Sequence, residues 1–126
     1  MDTVIGAQLF HEEYLLPISY TPAIPDKKDF NPRFQVLVSE LNEVMDAIEA
    51  KDIVSLLHEL TDVQYALDSL YVLSGLQQYK QVAFELVHEA NMRKRWPDGE
   101  IHYNEQGKVI KPPGFVPADL STLLKE

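Results

Sequence analysis

Between residues 33 and 96 the apolar positions recur every three or four residues, the period of helices that each bury one stripe. Phe34, Leu37, Val38, Leu41, Val44, Met45 and Ile48 predict one helix, and Asn31-Pro32 ahead of them offers an N-cap followed by proline at the first helical position. Asp52 can cap the next, which carries Leu56, Leu57, Leu60, Val63, Leu67 and Leu70 as far as Gly75, a C-terminal stop. Another is expected from about Gln78 to Arg95, with Val82, Leu86 and Val87 inward and Trp96-Pro97 ending it. A shorter helix is expected over roughly Asp2 to Tyr14. All eight prolines lie outside 33–96, at 17, 22, 25, 32, 97, 112, 113 and 117. Because proline inside a helix costs about 3 kcal/mol, they bound a helical body at 33–96 between a proline-rich loop at 17–32 and a C-terminal extension at 97–126. In that extension, Ile101-His102-Tyr103 and Lys108-Val109-Ile110 alternate around Asn104 to Gly107, predicting a small β-hairpin, and Pro117-Ala-Asp-Leu can open a final short helix.

The expected fold is therefore all-α, a single domain over 1–126 with an antiparallel four-helix bundle core and a C-terminal hairpin and short helix. The apolar surface of the first and third helices exceeds what four helices bury in a monomer, which predicts a homo-oligomer.

Composition narrows the function. A content of 45% hydrophobic and 25% charged residues is that of a soluble globular chain, and no apolar run approaches the roughly 18 residues that span a bilayer. The N-terminal residues lack the basic n-region and cleavage site of a secretory signal, so a cytoplasmic location is expected. With no cysteine, disulfides, thiolate zinc sites and cysteine nucleophiles are excluded. The formal charge of −9 argues against nucleic acid and anionic membranes as partners. A phosphate-bearing ligand would be repelled too, unless bound divalent cations invert the local charge.

Four carboxylates are spaced to hold such cations. Glu40 and Glu43 are three apart, as are Glu59 and Asp62, so each pair projects from one face of its helix. The pairs lie symmetrically about position 51, where the Ala50-Lys51-Asp52 connection falls, which makes them level on antiparallel neighbours. Four converging carboxylates without cations would repel, and magnesium, a hard ion that binds through a few carboxylates and shares substrate phosphates, is the expected occupant, with manganese as a substitute. The same measure along the last long helix puts Asn91 and Lys94 at the level of the carboxylates, with Arg93 and Arg95 beside them: a phosphate pocket in outline.

Other chemistry is not encoded. His11, His58, His88 and His102 form no His-x-x-x-His pair, and zinc is not expected. Tyr65, Tyr71, Phe84 and Trp96 fall at helical spacing and are expected in the core, and no glycine-rich phosphate loop or nucleophile elbow is present.

The Glu-x-x-Glu and Glu-x-x-Asp pairs, fifteen residues apart, resemble the metal motif of the MazG-like all-α nucleoside triphosphate pyrophosphohydrolases. Ser39 to Glu43, Glu59 to Tyr65, Gly75, Val87-His-Glu-Ala-Asn-Met-Arg-Lys94, Gly107-Lys-Val-Ile-Lys-Pro112 and Pro117 to Leu120 are similar to the phosphoribosyl-ATP pyrophosphohydrolase-like branch of that superfamily. The resemblance implies magnesium-dependent cleavage of a nucleoside triphosphate or related nucleotide to monophosphate and pyrophosphate, in a homodimer or homotetramer. It also implies that Glu40, Glu43, Glu59 and Asp62 are catalytic metal ligands and that Asn91 and Lys94 contact the phosphates. Ser39 stands where many relatives carry a further glutamate, which leaves the number of metals and the general base open. The competing reading is a non-catalytic helical module that binds nucleotide and metal, or another protein.

Overall fold

A computed structural model describes residues 1–124. Its helices are α1 (Thr3–Glu13), α2 (Lys27–Ala50), α3 (Ile53–Ser74) and α4 (Lys80–Asn91), with 3-10 turns at Gln77–Tyr79 and Ser121–Leu123. The chain packs as two compact units, Met1–Gln78 and Tyr79–Glu126. No helix among the described residues is long and apolar enough to cross a membrane.

In the first unit, aspartate caps start α1 and α3, the second of them as expected. Asp2 accepts the Val4 N–H at 3.1 Å to start α1. Asp52 starts α3 by accepting the N–H groups of Val54 and Ser55, each at 3.1 Å, and the Ser55 hydroxyl at 2.9 Å. Between α2 and α3 the chain reverses through Lys51, held left-handed at φ 53°, so the turn sits at the midpoint of the two carboxylate pairs. α3 packs against both α1 and α2. Val4, Ala7 and Val72 form its buried centre with Ile18 and Tyr71 against them, and the Tyr65 hydroxyl reaches the Gly6 carbonyl at 3.3 Å.

α2 begins earlier than expected. It starts at Lys27, and Pro32 lies inside it. The missing proline N–H removes one ladder bond close to the helix start, where the neighbouring turn is already tied down by Asp29 and Phe30 N–H donation to the Asp26 carbonyl at 3.0 and 2.9 Å. The added turn also lets Phe30 stack on Phe34, with ring centroids 5.4 Å apart.

The loop after α1 serves α3. Ser19 and Ala23 donate their N–H groups to the Val72 and Ser74 carbonyls at 3.1 and 3.0 Å, which satisfies acceptors that a helix end leaves orphaned. Gly75 ends α3 at φ 68°, and a Cβ there would stand 2.0 Å from the Thr21 carbonyl oxygen. Only glycine fits both the backbone and the space.

In the second unit α4 is shorter than expected, ending at Asn91 instead of Arg95. The chain beyond is drawn into loop contacts: Trp96 N–H donates to the Glu100 carbonyl at 3.0 Å, its indole N–H to the Ile110 carbonyl at 3.1 Å, and Arg95 to the Gly99 carbonyl at 2.6 Å. The expected hairpin is corrected to a single antiparallel bridge, Tyr103 to Val109, and no strand forms among the described residues. Asn104 turns the chain by accepting the N–H groups of Gln106 and Lys108, both at 2.9 Å, while Pro112 and Pro113 have no N–H with which to extend a ladder. The final short helix is reduced to the turn at Ser121–Leu123, begun by Asp119.

Several expected core residues are exposed in the single chain, among them Phe34, Leu41, Met45, Ile48, Leu57, Leu60, Tyr65, Leu67, Val82, Phe84 and Val87. Charge is also unevenly shared. Residues 1–78 hold thirteen acidic and four basic side chains and residues 79–126 seven of each, so the whole −9 belongs to the first unit.

Candidate metal centre

Glu40 and Glu43 occupy successive turns of α2, and Glu59 projects from α3. Each offers one carboxylate oxygen, and the three lie within 4.8 Å of one another. Ala47 and Ala50 with Ser55 keep the adjoining space open, and together with Glu43, Asp46 and Glu59 they line a cleft of about 330 Å³. The helix pair thus brings small side chains to the same face as the acids.

The electrostatics are those of a site short of positive charge. Burial, the close approach of the Glu43 carboxylate, and the charges of Asp62 and Glu59 push the Glu40 carboxyl up from 4.5 to about 7. Glu59 is also raised, first by its contact with Glu43, then by burial. One oxygen of Glu40 and one of Glu59 are buried with no hydrogen-bond partner. A buried carboxylate oxygen without a donor costs free energy, and a hard cation is the ligand that would satisfy several at once. The donor set, three oxygens from two rigid helices, fits a divalent ion.

Asp62 stands beside this cluster, since its charge acts on both Glu40 and Glu59, but it lies outside the group of three. It is held instead by His58, whose Nε2 is 3.2 Å from Asp62 Oδ2 one turn earlier on α3. His58 and Asp46 were not singled out from the sequence as parts of the site. Their signal was present in the spacing: Asp46 is three residues from Glu43, and His58 four from Asp62.

Asn91 and Lys94 belong to the second unit. Asn91 closes α4, whereas Lys94 follows its end and is not on a helical face. Both line a cleft of about 260 Å³ with Lys111 and Phe115, two tail residues that helical periodicity had no means of placing.

A family profile described as phosphoribosyl-ATP pyrophosphohydrolase matches residues 8–93, a span that contains all four carboxylates and Asn91. No curated protein matches the chain. The match covers more than half of the sequence and includes the helices that carry the acidic cluster. The chain belongs to the phosphoribosyl-ATP pyrophosphohydrolase family, hydrolases that act on anhydride bonds.

Proposed function

We propose that this protein is a magnesium-dependent nucleotide pyrophosphohydrolase that cleaves a nucleoside triphosphate or related nucleotide to the monophosphate and pyrophosphate. The observation that carries the proposal is the meeting of Glu40, Glu43 and Glu59 oxygens within 4.8 Å, two of these residues having buried, unpartnered oxygens. Glu40, Glu43, Glu59 and Asp62 hold the ion. When bound, magnesium supplies charge neutralisation, polarisation of the attacked phosphoryl group and acidification of a water. Asp62, paired with the exposed His58, is the carboxylate with a route for passing a proton to solvent. Asn91 and Lys94 hold the phosphate chain, the amide by hydrogen bonds and the ammonium by charge.

The active form is a homo-oligomer, supported by the apolar side chains that α2 and α3 leave exposed: Ile53, Val54 and Leu57 are 74%, 76% and 68% exposed. A phosphorus NMR time course with canonical, modified and phosphoribosyl nucleotides, each with magnesium, tests the activity. The expected products are monophosphate and pyrophosphate from at least one nucleotide. Binding of nucleotide without cleavage of any of them, at high protein concentration, would overturn the hydrolase reading in favour of a binding module.

A further inference from the structure

The cleft that holds Asn91 and Lys94 has a second cation. Lys111 lines it from the C-terminal segment, and the ammonium groups of Lys94 and Lys111 lie 5.9 and 5.7 Å from the centroid of one ring, that of Phe115. Two ammonium groups gathered at one ring repel each other, and the ring's negative face offsets only part of that repulsion. Both lysines line the same cleft as the Asn91 amide, and an anion bound in it would be attracted by both charges. None of the lining residues is acidic, and among the described residues neither lysine forms an ion pair. The wall is otherwise largely apolar, with Pro117, Ala118 and Leu120, so charge–charge attraction inside it is less screened than on an open surface. A cleft of about 260 Å³ has room for a phosphate chain.

We propose that Lys111 is a phosphate-binding residue, which together with Lys94 and Asn91 grips a pyrophosphate group, and that Phe115 is the positioning residue that sets the separation of the two lysines. This assignment rests on the hydrolase reading for its biological substrate, but it is testable without turnover. Inorganic pyrophosphate titrated calorimetrically into the full chain, with chelator present and at low ionic strength, should bind. Lys111→Ala should weaken binding about tenfold, the scale of one lost charge-assisted hydrogen bond, with Lys111→Arg close to the unmodified protein. Phe115→Leu should weaken it less, and Lys108→Ala, a tail lysine outside the cleft, should leave it unchanged. Circular dichroism melts establish that each variant is folded. Unaltered affinity in Lys111→Ala, or no pyrophosphate binding by the unmodified protein, would overturn the proposal. Pyrophosphate binding that depends on Lys111 in a protein that cleaves no nucleotide would support the cleft and contradict only the hydrolase reading.

Discussion

A carboxyl group packed against three others, as Glu40 is, binds its proton more tightly in the folded chain than in the unfolded one. Without metal, its contribution to stability is therefore present below about pH 4.5 and is lost as pH rises through about 7. Chemical denaturation across this window should show stability falling in the unmodified protein less a Glu40→Gln reference that lacks the slope. Saturating magnesium should remove the difference, because it replaces the proton as the neutralising charge. His11 titrates in the opposite sense. Its Nδ1–H donates to the Pro17 carbonyl at 2.8 Å, while its buried Nε2 has no partner, so an imidazolium would leave one N–H unsatisfied. Burial lowers its value from 6.5, against the Pro17 bond that raises it, and the positive charge of Arg33 lowers it further. The stability it adds is complete above about pH 6.5 and declines as pH falls below that. A His11→Gln variant should lose that acid-side decline in the same denaturation series.

At the scale of the element, the close fit between α3 and the loop before α2 depends on Gly75. Gly75→Ala must hold a Cβ in a left-handed backbone and against the Thr21 carbonyl, which should cost about 3 kcal/mol or more in a urea melt. Gly107→Ala, with a similar φ of 81° but open space around it, should cost about 1 kcal/mol. The ends of α3 were legible in the sequence because Asp52 and Gly75 act within a few residues of themselves. So was the approach of Glu40, Glu43 and Glu59, which needs only the i, i+3 spacing and the turn at Lys51, whereas Asp62, expected with them, lies outside the group of three. The start of α2 and the end of α4 were not. At one, Pro32 lies close to the helix start, where it removes a single ladder bond while Phe30 gains its stack on Phe34, and at the other Trp96 is held by Glu100 and Ile110 beyond the helix end. Lys111 and Phe115 were illegible as site residues for a related reason: what brings them to Asn91 and Lys94 is loop closure over some twenty positions, which leaves no period in the sequence.

Over the whole molecule, charge and apolar surface are distributed in ways a monomer's stability does not require. The acidic excess is confined to the unit with the carboxylate cluster, while the second unit is balanced and offers a cleft lined by two lysines. The exposed leucines, isoleucines and valines of α2 and α3 are the basis on which a homo-oligomer is proposed. Light scattering at micromolar concentration should give at least twice the 14.4 kDa chain mass, and a mass of one chain would refute the homo-oligomer. The most direct test of the central claim, that the α2–α3 carboxylates form the catalytic metal centre, is nucleotide cleavage by Glu59→Gln. We predict that this variant retains its helical melt, loses magnesium-dependent stabilisation and loses turnover by about three orders of magnitude or more, as expected when a metal ligand and its electrostatic contribution are removed together. Turnover equal to that of the unmodified protein would contradict it.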